Sequence, residues 1–135
     1  MKDYIHKVQY YETDKMGIVH HSNYIRWFEE ARVDWLEQVD CTMQHIEEEG
    51  VVSPVMSVTC NYHSMVRFGD EVVVKVRIAK FNGVKLEIEY EIRNAATDEL
   101  CTTGTSTHCF MDAEGKLLSL KKSKPEMYEK LSSSL

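Results

Sequence analysis

The chain has 135 residues, of which 43% are apolar and 28% are charged, and its net charge is −6. A chain of this length predicts one domain, covering residues 1–135, with a single hydrophobic core. The acidic balance and the scattered lysines and arginines argue against a nucleic-acid-binding protein. No apolar run approaches the roughly 18 residues of a membrane span, and the first residues contain no signal-peptide core. We therefore expect a cytoplasmic protein without stable membrane insertion.

The first predicted elements are a strand from Ile5 to Tyr11 and a long amphipathic helix from Asn23 to about Gln38. In the helix, bulky apolar residues recur at spacings of three and four, with charged residues between them. These apolar residues are Tyr24, Trp27, Phe28, Ala31, Trp35 and Leu36. Ser22 or Asn23 is the expected N-cap. A short helix from Thr42 to Glu49 should follow.

After the second helix the apolar period changes to two, which is typical of strands. We expect strands at Met56 to Ser64, Val72 to Ile78, Leu86 to Arg93 and Leu100 to Met111. Asn82-Gly83 is a strong hairpin signal between two of them. The sequence therefore predicts an α+β fold, in which about five antiparallel strands, joined by consecutive hairpins or short loops, are covered by one long helix. The only low-complexity segment is the serine-rich tail.

The segment from Tyr10 to Tyr24, YYETDKMGIVHHSNY, carries the strongest chemical signal in the chain. It places the carboxylate of Asp14, the backbone freedom of Gly17 and two adjacent histidines on a loop that runs into the long helix. A carboxylate can act as a base or a nucleophile, and unpaired N–H groups at a helix N-terminus can stabilise an oxyanion. The loop is therefore a candidate acyl-transfer site.

This segment, together with Phe28-Glu29-x-Ala31-Arg32, resembles the signature of hot-dog-fold acyl-CoA thioesterases of the 4-hydroxybenzoyl-CoA thioesterase and YbgC type. The segment from Tyr62 to Asp70, which ends in Arg67-Phe68-Gly69-Asp70, and the segment from Thr103 to Gly115 are also similar to that family. The resemblance implies a hot-dog fold, with the antiparallel sheet wrapped around the long central helix, and a homodimer or homotetramer with active sites between subunits. It also implies hydrolysis of an acyl-CoA, or of an acyl group on acyl carrier protein. No cofactor is implied, because coenzyme A is part of the substrate.

The resemblance implies roles for single residues. Asp14 matches the family's catalytic aspartate, which either attacks the thioester carbonyl to form a mixed anhydride or deprotonates a water. The backbone N–H of His21 matches the group that polarises the carbonyl, and its imidazole is a candidate for orienting the carboxylate or a water. Tyr24 and Tyr10 match positions that contact the substrate or brace the loop, although each suits a core tyrosine as well. Gly17 lets the backbone approach a ligand closely.

Charged residues outside the loop are candidates for holding the phosphates of coenzyme A. Four such residues lie at predicted strand ends or beside the hairpin turn, where related enzymes tend to place nucleotide contacts: Arg67, Lys80, Lys85 and Arg93. Exposed basic residues on loops otherwise serve solubility. Glu29 and Arg32 match the family helix, but their spacing suits an ordinary helical ion pair, so we assign them no catalytic role.

Three other interpretations remain open. Hot-dog hydratases and dehydratases use a histidine with an acidic residue, here Asp14 and His21. A non-catalytic acyl-CoA-binding module would bind its ligand without turnover. A metal site would need Asp14, His20 and His21, but adjacent histidines rarely converge on one ion, and the four cysteines show no metal-ligand spacing, so we expect no metal.

Overall fold

A computed structural model describes residues 1–135 and contains one antiparallel sheet of five strands. The strands are β1 (Tyr4–Lys7), β2 (Val55–Tyr62), β3 (Glu71–Phe81), β4 (Lys85–Asn94) and β5 (Leu100–Cys109). The helices are α1 (Ser22–Gln38), α2 (Met43–Glu48), α3 (Leu120–Ser123) and α4 (Pro125–Ser132). None of them is both long enough and apolar enough to cross a membrane. The predicted α+β class is confirmed.

The apolar face of α1 packs against the sheet and belongs to a single cluster of 25 buried hydrophobic residues. All six apolar residues predicted for this helix are buried in the cluster. The N-cap prediction is wrong, because neither expected side chain caps the helix. Instead, Asn23 donates from Nδ2 to the carbonyl of Glu12 at 2.8 Å, and the N–H of Ser22 donates to Nδ1 of His20 at 3.3 Å.

Side-chain burial follows the predicted period of two in β3 and β4. The even-numbered residues Val72, Val74, Ile78, Leu86, Ile88, Tyr90 and Ile92 are buried in the core. The two strands form the predicted hairpin, in which Oδ1 of Asn82 accepts hydrogen bonds from the N–H groups of Val84 and Lys85.

β2 occupies a different place from the one expected from consecutive hairpins. The strand order is β1-β3-β4-β5-β2, so the chain crosses the sheet between β2 and β3. β2 pairs with β5, where Ser57 lies opposite Thr107 and Tyr62 opposite Thr102. As an edge strand it leaves the apolar side chain of Val58 exposed. Local alternation identifies a strand but not its neighbour, which depends on distant segments.

Elements at both ends of the chain also differ from the prediction. The first strand ends at Lys7, and Tyr10–Glu12 forms a short 3₁₀ turn instead of continuing it. The sequence-based prediction lacks α3 and α4, because it treats the tail only as a serine-rich segment. Met127 and Leu131, four positions apart, bury themselves in the core. Pro125 at the first turn of α4 is a helix-start signal that points to this helix.

Gly104 marks a close approach of α1 to the sheet. A Cβ at this position would lie 2.5 Å from both Cε2 of Phe28 and the carbonyl oxygen of Thr59. Phe28 is itself stacked on Tyr90, with ring centroids 4.3 Å apart, so it has little room to withdraw. We expect Gly104→Ala to lower the free energy of unfolding by about 1–3 kcal/mol. Urea denaturation measures the loss.

Thr103→Ala is the matched control for this prediction, since Thr103 is the preceding residue of β5 and its hydroxyl bonds only to an exposed histidine. We expect it to change the free energy of unfolding by less than about 0.5 kcal/mol. Equal losses in the two variants would contradict the packing argument.

Candidate active site

Backbone hydrogen bonds hold the loop that carries Asp14 on both sides. The N–H of Asp14 donates to the carbonyl of Ile18 at 2.8 Å, which closes the loop. The N–H of Val19 donates to the carbonyl of Val66 at 2.8 Å, and Ile18 forms an antiparallel bridge with Arg67. The loop is therefore anchored to the segment that precedes β3.

The Asp14 carboxylate is half-buried and has one oxygen available. Oδ1 accepts a hydrogen bond from the N–H of Met16 at 2.8 Å, whereas Oδ2 has no protein partner. The turn continues through Gly17, whose φ of +75° is a conformation that residues with a Cβ rarely adopt. No atom lies within 4 Å of where a Gly17 Cβ would be, so the loop is open on that side.

His21 immediately precedes α1, and its backbone N–H donates to no acceptor in the protein. Its carbonyl accepts a hydrogen bond from the hydroxyl of Tyr62 at 3.3 Å. The imidazole lies against the ring of His20, with centroids 4.2 Å apart, and makes no hydrogen bond to Asp14. An unpaired N–H beside a helix N-terminus is the kind of group that binds an oxyanion.

The two tyrosines predicted for the site occupy different environments. Tyr24 is buried and packs edge-on against Trp27 and Tyr62. Burial raises the pKa of Tyr24 to about 12, so its hydroxyl stays neutral at physiological pH. Tyr10 is exposed and packs edge-on against Phe68. Sequence reasoning places Tyr62 on a strand and in a segment similar to the family, but it assigns this residue no role in the site.

Glu12 is a buried carboxylate that sequence reasoning also missed. Its Oε1 accepts hydrogen bonds from the N–H of Gln9 at 2.7 Å and faces Nε2 of His6 at 2.8 Å. Its Oε2 accepts from Nε1 of Trp27 at 2.7 Å. Burial alone would raise the pKa of Glu12, but these three partners outweigh it and hold the pKa below its ordinary value.

The same residue ties the loop to the start of α1. The carbonyl of Glu12 accepts from the N–H of His20 at 2.9 Å and from the side chain of Asn23 at 2.8 Å. Its partner His6 also faces Glu30 on α1, with Nδ1 3.1 Å from the carboxylate. Glu12 therefore positions both flanks of the loop that carries Asp14.

The basic residues predicted for the site do not lie together on one chain. Arg67 is bridged to the Asp14 loop. Lys80 and Lys85 instead line a surface pocket of about 640 Å³ near the far end of β3. The stretch of β3 from Glu71 to Lys80 is about 30 Å long at the rise of an extended strand. Within one chain, these two lysines are therefore remote from Asp14.

The ion pair that suits the spacing of Glu29 and Arg32 is not formed. No carboxylate lies within 4.0 Å of Arg32. Its Nη1 donates instead to the hydroxyl of Tyr90, on the sheet, at 3.1 Å.

No group of three or more His, Cys, Asp or Glu side chains in the structure is arranged to hold a metal ion. The ring of His20 is engaged with Ser22, whose Oγ lies 2.9 Å from Nδ1. All four cysteines are free thiols, and burial raises the pKa of Cys60.

Comparison with known proteins defines the family. The model of the thioesterase-like superfamily matches residues 8–134. The chain is 36% identical to the putative acyl-CoA thioesterase YneP of Bacillus subtilis over 123 residues, which cover 90% of this chain and 88% of that protein. It is 29% identical to the acyl-CoA thioester hydrolase YbgC of Escherichia coli O6:H1 over 89 residues, 66% of each chain.

A solved structure of a DHNA-CoA thioesterase from Staphylococcus aureus matches with a TM-score of 0.91 and 31% identity, covering 97% of this chain and 88% of that one. The chain belongs to the thioesterase-like superfamily, and its fold is the hot-dog fold. These matches confirm the resemblance found in the sequence and the assignment to thioester hydrolases. The roles of individual site residues remain predictions.

Proposed function

We propose that this protein hydrolyses an acyl-CoA thioester to a carboxylic acid and free coenzyme A. The observation that carries the proposal is the arrangement of Asp14, with a free carboxylate oxygen on an anchored loop, just before the unpaired N–H of His21 at the start of α1. Family membership supports a thioester as the reacting group. The names of the relatives support coenzyme A as the thiol carrier, with acyl carrier protein as the alternative.

Asp14 acts on the thioester in one of two ways. As a nucleophile, its carboxylate attacks the carbonyl carbon, the thiolate of coenzyme A leaves, and water hydrolyses the resulting mixed anhydride. As a general base, it takes a proton from a water that attacks the carbonyl carbon directly. Both routes place negative charge on the carbonyl oxygen, which the N–H of His21 and the N-terminal end of the α1 dipole stabilise.

Thiol release from a panel of short aliphatic, long aliphatic and aromatic acyl-CoAs tests this function. We expect turnover of at least one class, and stoichiometric binding without turnover would identify a non-catalytic acyl-CoA-binding module instead. Single turnovers in ¹⁸O-labelled water then separate the two routes, because only the anhydride route can place the label in the Asp14 carboxylate. Parallel assays with the same acyl group on acyl carrier protein identify the preferred carrier.

The site favours hydrolysis over hydration. A hot-dog hydratase would need a histidine and an acidic residue acting together, but the imidazole of His21 lies against His20 and makes no hydrogen bond to Asp14. Absence of product from an enoyl-CoA is the result expected for a hydrolase.

We further infer that a second copy of the chain completes the active site. β2 is an exposed edge of eight residues, and Met56, Val58 and Tyr62 leave apolar surface uncovered along it. Such an edge readily pairs with another chain. Pairing would also explain how Lys80 and Lys85, remote from Asp14 in their own chain, can serve a site. A homodimer or homotetramer follows from this inference.

Val58→Lys tests the inference by placing a charge on the apolar face of the edge. We expect the wild-type protein to elute as an oligomer, and the variant to shift to the mass of one chain and lose thiol release together, as measured by size exclusion with light scattering. Thr59→Lys, on the other face of the same strand, is the control and should remain oligomeric. A wild-type monomer with full activity would contradict the inference.

A further inference from the structure

A cavity that is open at one end lies between α1, α2 and the sheet, apart from the Asp14 loop of the same chain. Its volume is about 180 Å³, and most of its lining is apolar: Trp35, Leu36, Met43, Ile46, Leu86 and Phe110. A cavity of about 150 Å³ is large enough to hold a benzene ring. Arg32 and His108 also line this space.

The cavity lies at the other end of β5 from the candidate active site. His108 is paired with Leu86, whereas Thr102 lies opposite Tyr62, whose hydroxyl contacts His21. Six residues of extended strand separate His108 from Thr102, which is about 20 Å. Within one chain, the cavity and the Asp14 loop are therefore separate binding sites.

A chain of hydrogen bonds connects Arg32 with His108. Nη1 of Arg32 lies 3.1 Å from the hydroxyl of Tyr90, which lies 2.6 Å from Oγ of Ser106. That Oγ lies 2.7 Å from Nε2 of His108. A guanidinium can only donate, so the hydroxyl oxygen of Tyr90 accepts from Arg32. Both hydroxyl protons of the chain then have an acceptor only if Tyr90 donates to Ser106 and Ser106 donates to Nε2 of His108.

This direction fixes the tautomer of His108. Burial, and then the positive charge of Arg32, lower the pKa of His108 to about 4, so its imidazole is neutral at physiological pH. With Nε2 accepting, the single ring proton lies on Nδ1. His108 therefore presents a donor that has no acceptor in the protein.

Arg32 likewise has N–H groups that make no hydrogen bond. Only Nη1 makes a hydrogen bond, and no carboxylate pairs with the guanidinium. Thr102 Oγ1 and Ser132 Oγ are the only fully buried side-chain polar atoms that lack a hydrogen-bond partner. The unpaired N–H groups of Arg32 and His108 are not among them, so they are accessible to solvent or to a ligand. Arg32 and His108 thus offer free donors to the cavity, and Arg32 also offers a positive charge.

We propose that this cavity binds a small organic acid, with its carboxylate on Arg32 and His108 and its apolar body between α1, α2 and the sheet. A carboxylate supplies only acceptors and a negative charge, which matches the free donors of Arg32 and His108 and the positive charge of Arg32. Glu29, at the exposed mouth, makes no ion pair with Arg32 and leaves the cation available. The site goes beyond the proposed hydrolysis and needs no catalytic group.

Titration of benzoate into the wild-type protein, followed by ¹H–¹⁵N NMR of the backbone and of the histidine rings, tests the proposal. We expect saturable binding with shifts centred on His108 and the middle of α1. Benzyl alcohol has the same ring without the carboxylate and should bind about tenfold more weakly or worse. Arg32→Met should weaken benzoate by a similar factor, and Arg26→Met, on the exposed face of the same helix, should not.

Val33→Phe provides a second variant in case Arg32→Met fails to fold, because Val33 lines the cavity and the larger ring fills it without removing a donor. It should also abolish benzoate binding. Absence of binding to wild type, equal affinity for benzyl alcohol, or shifts centred on the Asp14 loop would each overturn the proposal. A protein that binds benzoate here but hydrolyses no thioester would contradict only the proposed function.

The carboxylate has two sources to distinguish: a free acid or, where the Asp14 loop of a second copy borders the cavity across β2, the far end of an acyl group that carries a second carboxylate. Comparing hydrolysis of glutaryl-CoA with that of butyryl-CoA separates them. A loss confined to glutaryl-CoA in Arg32→Met identifies the acyl group as the source. Unchanged hydrolysis of both, with benzoate binding lost, identifies a free acid.

Discussion

Asp14→Ala should reduce kcat/KM for thiol release from an acyl-CoA by about 10²–10⁴-fold. The variant loses the carboxylate that serves as base or nucleophile but keeps the backbone bonds that anchor the loop. The side chain is half-buried and makes one hydrogen bond, to the N–H of Met16. The free energy of unfolding should therefore change little, by about 1 kcal/mol or less.

Asp112→Ala is the matched control for this experiment. Asp112 also sits in a turn, where its Oδ1 accepts hydrogen bonds from the N–H groups of Glu114 and Lys116. It makes the same kind of local contact as Asp14 without lying on the loop before α1. We expect wild-type kcat/KM from this variant, and equal rates for wild type and Asp14→Ala would remove Asp14 from the mechanism.

Glu12→Ala should lower the free energy of unfolding by about 3–5 kcal/mol, because it removes a buried carboxylate and leaves its partners without an acceptor. The groups that lose their acceptor are the N–H of Gln9, Nε2 of His6 and Nε1 of Trp27. Urea denaturation measures the loss. Glu30→Ala is the control, since its exposed carboxylate contacts the same histidine, and its loss should be much smaller.

The lowered pKa of Glu12 also predicts a pH dependence. Its pKa is below the ordinary value of 4.5 in the folded protein, so the unfolded chain binds more protons between the two values. The stabilisation that the ionised Glu12 contributes is fully present above pH 4.5, and it is lost as the pH falls through the pKa of Glu12 in the folded protein. We expect the stability advantage of wild type over Glu12→Gln to shrink on acidification in this range. If the free energies of unfolding of the two proteins changed with pH in parallel, the result would contradict this prediction.

The sequence predicted those parts of the fold that local patterns determine. The spacing of the apolar residues from Tyr24 to Leu36 is enough to predict the buried face of α1, and the dipeptide Asn82-Gly83 is enough to predict the hairpin turn. The partner of β2 could not be predicted, because the alternation of Met56 and Val58 is equally compatible with any neighbouring strand.

For the site, the motif located Asp14 and the start of the helix, but not what supports them. The buried partners of Glu12 are His6 and Trp27, which lie on different elements, and no spacing rule connects the three residues. The hydrogen-bond chain that ends at His108 depends on contacts between α1 and two strands in the same way. Such networks become visible only when the chain is folded.

Because the chain crosses the sheet between β2 and β3, the strands cannot all pair in the order in which they are synthesised. β3, β4 and β5 are joined by short turns, so each can pair with its neighbour as soon as both have been synthesised. β2 precedes all three, yet its partner is the last strand, with Ser57 opposite Thr107, fifty residues later. A nascent chain therefore holds an unpaired apolar strand until β5 emerges. The edge that a second copy would use therefore forms only after β5, the last strand of the sheet, has been synthesised.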